Sequence, residues 1–395
     1  MPARTGVALA LLAALAAAPT PAADDATATA LRAITRVTRE GKGNEDAGPA
    51  WKALVARGGP ALLPTLEAFE DGNPAAANWL RTAADAIADA ERAAGRPLPA
   101  DKLEAFATNP KFAAAARRQA YELLVSQVPG AKARLLPTFL NDRSPELRRD
   151  AIAHELERLE RDGKAAPRAD LEKLFAATRD KDQVELLAKK VKESGGTAST
   201  AAHFGFVTAV QLVGPFDGPE SKGFGVAYPP ETATAATGAY AGKDDAKLKW
   251  VPAATADRDG RFDLNNLLGK HKNAVAYALA TVAAEKETPC EVRVTSPTSV
   301  KIFLNQTELF GRDEYHHGAP FDGHTGRGTL RKGENVIVVK VCQNNQSETW
   351  AQKWEFQVRV CDATGGPLAG VAQLAADGKA LPLGFLAEPP AEDKK

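Results

Sequence analysis

Apolar residues first recur at Leu31, Ile34 and Val37, with Thr38 beside them, the spacing of one face of an α-helix. The chain keeps that period to Ser194, in a composition rich in Ala, Leu, Arg and Glu, all compatible with helix. The period then changes. Residues 207–213, 274–282, 300–304 and 336–341 are short apolar or alternating runs, several bounded by Gly, Pro or Asn, which predicts strands buried in a sandwich. Between the two regimes Gly195-Gly196-Thr197-Ala198-Ser199 has linker composition. The pattern therefore predicts a helical domain over residues 24–194, a linker over 195–202 and a β-sandwich domain over 203–372. Residues 373–395, ending in Pro389-Pro390-Ala391-Glu392-Asp393-Lys394-Lys395, are expected to form a loosely ordered tail.

Recurrence refines the helical half. Leu66-Glu67-Ala68-Phe69 returns as Leu103-Glu104-Ala105-Phe106, and Leu62-Leu63-Pro64-Thr65 as Leu135-Leu136-Pro137-Thr138. A period in the thirties with two helices per unit is the mark of an all-α solenoid. In the third unit Asn141-Asp142-Arg143-Ser144-Pro145 forms a turn before Glu146-Leu147-Arg148-Arg149-Asp150-Ala151-Ile152. Ser144 suits the cap, Pro145 the first helical position, and Arg148 braces the turn beside the small Ala151. This unit resembles a HEAT repeat, and the resemblance implies helical hairpins that hold a protein partner, with a compact helical spacer packed on the β-domain as the equal alternative. Trp79 is expected to pack in the core with Ala83 and Ile87.

In the second half, Val213-Gly214-Pro215-Phe216, Pro230-Glu231, Trp250, Tyr277-Ala278, residues 300–305 and Lys332-Gly333 through Val341 follow one another in an order similar to galactose-binding-like modules of extracytoplasmic bacterial proteins. The resemblance covers residues 206–362 and implies a jelly-roll β-sandwich, with carbohydrate binding or structural support as its usual roles. The turns around the central strand depart from the family's Ser-Asp-Asp-Gly and Asn-Gly. They read Ser296-Pro297-Thr298-Ser299 and Asn305-Gln306 here, which removes an acidic pair from that turn.

Arg4, the apolar run of residues 7–18, and small residues ahead of Asp24-Asp25 have the layout of a secretory signal peptide over residues 1–23. The apolar run is shorter than the roughly 20 residues a membrane-spanning helix needs. An extracytoplasmic location, periplasmic or secreted, follows as an expectation, with no membrane span in the mature chain. The 50 basic and 50 acidic side chains cancel, which argues against a nucleic-acid partner. Cys290, Cys342 and Cys361 are an odd set, so at least one thiol stays free. If residues 336–342 and 354–361 pair as a hairpin, Cys342 and Cys361 lie several rungs apart, too far to bridge.

Two stretches are candidates for chemistry. Asp257, Asp259 and Asp263 surround Gly260 at calcium-loop spacing, but Thr255 and Asn266 stand where such a loop has its end ligands, so a solvated hairpin competes with a Ca2+ site. The excursion over residues 312–328 holds half of the six histidines and gathers Asp313, Tyr315, His316, His317, Phe321, Asp322 and His324 between glycines. Imidazole with carboxylate suits a transition metal, and aromatic rings beside carboxylates suit a sugar. The plain alternative is a lid over the sandwich edge. No Gly-x-Ser-x-Gly elbow, phosphate-binding glycine loop or His-Glu-x-x-His helix occurs. The reading is a non-catalytic binding or scaffold protein, whose sandwich takes a glycan or a protein and whose helices take a protein. A carbohydrate-active enzyme, or an accessory subunit of one, is the alternative, with Asp313, Glu314, Asp322 or Glu231 as acid and base.

Overall fold

The computed structural model describes residues 21–38, 40–161, 163 and 165–386. The expected signal peptide lies outside them except for its last three residues, as does the end of the expected tail. An all-α region precedes antiparallel β-sheets, and the chain divides into two compact units after Arg148.

The first unit is built from Pro21–Thr35 (α1), Asn44–Arg57 (α2), Leu62–Glu67 (α3), Pro74–Ala93 (α4), Ala100–Thr108 (α5), Ala114–Val125 (α6) and Ala131–Leu135 (α7), with the first turn of Pro145–Glu160 (α8). α1 packs on α2, α3 on α4 and α5 on α6, so neighbours in sequence form hairpins. Leu80, Ala83 and Ile87 are fully buried along one face of α4, spaced as helical periodicity requires. Trp79 is only half-buried. Its indole N–H donates to Asn44 Oδ1 at 3.0 Å while Trp51 Nε1 donates to Thr82 Oγ1 at 3.1 Å, so the two tryptophans bridge α2 and α4 at the rim of the core. The turn before α8 is held by charge. Buried Arg117 donates from Nε to Ala107 O and from Nη1 to Asp142 Oδ1, and Arg148 Nη1 donates to Asp142 O at 2.6 Å. A buried guanidinium has to find such acceptors, and here the turn supplies them.

The second unit holds the rest of α8, then Arg168–Ala177 (α9), Lys181–Glu193 (α10), Thr200–Phe204 (α11) and the sandwich. The expected linker at 195–202 thus runs into a helix. Ser199 Oγ caps α11 at Ala202 N, and Ala201 and Phe204 are buried with Val184 and Phe206. Gly205 ends α11 at φ 69°, and a Cβ there would sit 2.6 Å from Val360 O, so α11 meets the sandwich too closely for any side chain.

The strands are Ala209–Asp217 (β1), Ala239–Ala241 (β2), Lys247–Lys249 (β3), Val251–Ala254 (β4), Arg261–Asp263 (β5), Ala274–Ala284 (β6), Thr288–Thr295 (β7), Val300–Leu304 (β8), Thr307–Arg312 (β9), His324–Leu330 (β10), Gly333–Gln343 (β11), Glu355–Cys361 (β12), Val371–Leu374 (β13) and Ala380–Pro382 (β14). Leu264–Leu268 (α12) follows β5. One sheet runs β14-β13-β6-β11-β8-β9, with β1 between β6 and β4; the other runs β10-β7-β12-β5; β2 and β3 form a ribbon. All pairings are antiparallel.

The period of two decides which side chain faces which layer. Ala276, Ala278 and Ala280 of β6 and Ile337, Val339 and Val341 of β11 face the inter-sheet core with Val292, Phe356 and Val358. Tyr277, Leu279, Val338 and Cys342 face outward into a second apolar cluster, covered by Phe224, Tyr228 and Trp250 of the excursion after β1. β8 and β11 are neighbours, with Ile337 opposite Leu304. β11 and β12 lie in different sheets, so the hairpin considered for Cys342 and Cys361 does not form; all three cysteines are buried and free. Part of the expected loose tail is sheet, at residues 373–374 and 380–382. β13 pairs with β6, and buried Gln373 accepts from Thr208 N at 2.8 Å and donates to Pro382 O at 3.0 Å. Those bonds satisfy backbone groups that would otherwise be buried unpaired.

Candidate functional site

Of the excursion expected over residues 312–328, Arg312 ends β9 and residues 324–328 pair with β7 as part of β10, so the loop is 313–323; it joins edge strand β9 to edge strand β10 and is pinned at several points. Asp313 Oδ1 accepts the Ser299 hydroxyl at 2.8 Å. Tyr315 is half-buried against the outer apolar cluster, and burial, first, with nearby Cys342 pushes its phenol up. His316 sits at φ 57°, a left-handed conformation uncommon for a residue with a side chain, and its N–H donates to Pro297 O at 2.7 Å. Its Nε2 is 3.1 Å from Asn344 Oδ1, so Nε2 carries the hydrogen and donates.

That bond turns the His316 ring edge-on to Trp350, with centroids 5.1 Å apart and planes at 87°. Trp350 is 60% exposed, whereas Trp354, four residues on, is fully buried. Burying both faces of an indole is the ordinary outcome, so an exposed one on a fixed loop is informative. The loop is fixed by amides. Asn344 Nδ2 donates to Gln346 Oε1 at 2.7 Å, Gln352 Nε2 to Ser347 O at 2.7 Å and Lys272 Nζ to Ala351 O at 2.8 Å. Burial lowers the Lys272 ammonium's pKa, against the attraction of Glu348. The result is an exposed indole on a braced loop, with His316 against it and the buried Asn344 bonded to His316. Apolar faces of sugar rings stack on such an indole. Tyr315 and His316 belong to the loop that the sequence marks out. Trp350 does not, and the signal that could have found it is a lone tryptophan inside the polar run Ser347-Glu348-Thr349.

The other candidates of the loop go elsewhere. His317 and His324 rings lie 5.4 Å apart, and His324 is buried beside Phe310. Burial first, then His317, lowers the His324 pKa and favours the neutral ring. Phe321 packs edge-on to Phe204, at 4.8 Å between centroids, and lies under the guanidinium of Arg359. Asp322 binds that guanidinium with both oxygens and accepts from Arg293 Nη1 at 2.8 Å. Burial alone would raise its carboxyl, but the hydrogen bonds and charges of Arg359 and Arg293 hold it below the usual range. These residues anchor the loop.

Each of the expected calcium ligands already has a protein partner. Asp257 Oδ1 accepts Asp259 N at 2.8 Å, Asp259 Oδ2 accepts Lys181 Nζ at 3.0 Å, and Asp263 caps α12 at Asn265 N and Asn266 N. Among the described residues no three His, Cys, Asp or Glu side chains come together as a metal site. Asp257 and Asp263 thus serve as turn and cap acceptors, and Asp259 as an ion-pair partner.

The carboxylates named for acid and base chemistry also have partners. Glu314 pairs with Arg312, and Glu231 Oε1 accepts from Lys340 Nζ and from Tyr277 OH, each at 2.8 Å.

No protein-family profile matches the chain, and no curated protein is similar to it. Among solved structures, a family 35 carbohydrate binding module from an environmental isolate is 11% identical, with 27% of this chain covering 82% of that one at a TM-score of 0.19. An anti-sigma factor domain-containing protein is 9% identical at a TM-score of 0.24, with 46% of this chain spanning about half, 49%, of that one. The chain is thus distantly similar to a carbohydrate-binding module over its sheets, at a level of superposition that transfers no function.

Proposed function

We propose that the protein is a non-catalytic binding protein whose sandwich holds a glycan on the surface made by Trp350 and His316, with the buried Asn344 bonded to His316. The observation that carries this reading is the exposed indole of Trp350 on a loop fixed by side-chain amides. Preorganisation matters because a loop already held in place loses little entropy when a ligand stacks on it. The helical hairpins, as repeated units, are proposed to hold a protein partner. The apolar run at residues 7–18 supports export of the chain from the cytoplasm.

A glycan array probed with the full mature chain tests the reading. Wild type is expected to bind at least one glycan and Trp350→Ala to lose that binding while keeping its melting temperature. Binding that survives Trp350→Ala, or no binding to any glycan, would sink it.

A further inference from the structure

A cavity of about 220 Å³, lined by none of Trp350, His316 and Asn344, opens on the outer face of the β5–β12 pair with Phe321 and Lys181 in its wall. At roughly 30 Å³ per water it has room for about seven waters, the space of one small ring and too little for a long oligomer. Its polar groups are unevenly committed. Glu355 is 18% exposed, yet its nearest cation, Lys353 Nζ, is 3.9 Å away, and among the described residues no hydrogen bond reaches its carboxylate. Arg261 has only a 3.7 Å contact with Asp259. Thr295 Oγ1 accepts Asp322 N at 3.1 Å and keeps its own hydrogen to donate. Gln357, 6% exposed, donates its amide N–H to Asp259 O and keeps its amide oxygen.

Two acceptors, Glu355 and Gln357, thus face the same space as two donors, Arg261 and Thr295, with the Phe321 ring as an apolar wall. Among the described residues the Glu355 carboxylate has no hydrogen-bond partner of its own, and a ligand hydroxyl pair supplies one. Arg261 and Glu355 balance in charge, and Lys181, which also lines the cavity, is paired with Asp259 at 3.0 Å, which favours a neutral ligand. Hydroxyls both donate and accept, and a ring with an apolar face fits the aromatic wall.

We propose that this cavity is a binding site for a single neutral pyranose-sized polyol, with Glu355 accepting from two neighbouring hydroxyls and Arg261 and Thr295 donating to ring or hydroxyl oxygens. It stands on different residues from the Trp350 surface, and either site can fail without the other.

The test is saturation-transfer NMR and calorimetry on the full mature chain with methyl hexopyranosides. Wild type is expected to bind at millimolar strength, and Glu355→Gln to weaken binding about ten- to a hundred-fold through loss of charge-assisted hydrogen bonds. Ala319→Trp, which fills the cavity from the exposed loop, is expected to abolish binding without lowering the melting temperature. Trp350→Ala is expected to leave it unchanged. No saturation transfer with wild type, or binding that persists in both Glu355→Gln and Ala319→Trp, would overturn the proposal. Monosaccharide binding lost only in Trp350→Ala would overturn it too, and would credit the Trp350 surface instead.

Discussion

Lys340 Nζ lies 2.8 Å from Glu231 Oε1 although the residues are far apart in sequence and Lys340 is fully buried. The ammonium also donates to Phe224 O at 3.0 Å and Val226 O at 2.6 Å, and the rings of Tyr228 and Tyr277 lie beside it at 5.3 and 5.8 Å. One cation therefore ties the excursion after β1 to the middle of β11. Burial first, then Glu231, pushes the Tyr277 phenol above its usual range, so it remains a donor to that carboxylate.

Lys340→Met keeps the volume but strands Glu231 and two carbonyls. Unfolding in urea should show a loss of about 3 kcal/mol, as expected when one partner of a buried pair is removed. Adding Glu231→Gln should restore part of it, because the isolated charge is then gone. Equal stability of wild type and Lys340→Met would show that the excursion is held by its aromatic contacts alone.

The two tryptophans of the 343–354 segment should behave oppositely. Trp354 is fully buried and its N–H donates to Val341 O at 3.3 Å, so Trp354→Ala should cost about 3–5 kcal/mol. Trp350→Ala should fall within about 0.5 kcal/mol of wild type. Thermal melts of both variants check this, and a large loss for Trp350→Ala would contradict its exposure.

His203 is expected to make the protein acid-sensitive. Burial, first, with Arg179 and Arg359 nearby lowers its pKa to about 4, against the hydrogen bond to Thr178 O at 2.8 Å. The unfolded chain, near pKa 6.5, takes up the proton first, so the stability linked to neutral His203 is fully present above about pH 6.5. It is lost as pH falls toward 4, by up to about 3 kcal/mol. His203→Gln, whose amide can still donate to Thr178 O, should flatten that slope in urea titrations run between those pH values.

The cysteines should be chemically silent in the native chain. All three are buried, and burial pushes the Cys290 and Cys361 thiols up to about 11 and Cys342 to about 12. Thiolate is the reactive form. Ellman's reagent should find no thiol before denaturation and three after it; fewer than three after denaturation would mean a disulfide or another modification.

Residues 274–282 and 336–341 were legible as strands, and 62–67 and 135–138 as repeated helical segments, because periods of two and of three to four are properties of neighbours along the chain. Ser144, Pro145 and Arg148 act in their turn as local spacing suggests, and Asn305 and Gln306 both adopt positive φ in the turn after β8. The same local view placed seven loop residues of 313–324 in one site. Packing separates them, because Asp322 meets Arg359 on another strand and Phe321 meets Phe204 on a helix, while Tyr315 and His316 turn toward β11 and its following loop. Likewise, no pattern within residues 195–202 or 373–386 reveals that α11 and β13 find partners in the sandwich. The sequence by itself determined that a helical half precedes a β half, where the long strands over 274–282 and 336–341 lie, and which of their faces are apolar. Only the tertiary structure decided that Lys340 meets Glu231 and that Trp350 stays in solvent while Trp354 is enclosed, since burial and charge pairing depend on groups that distant segments bring to the same place.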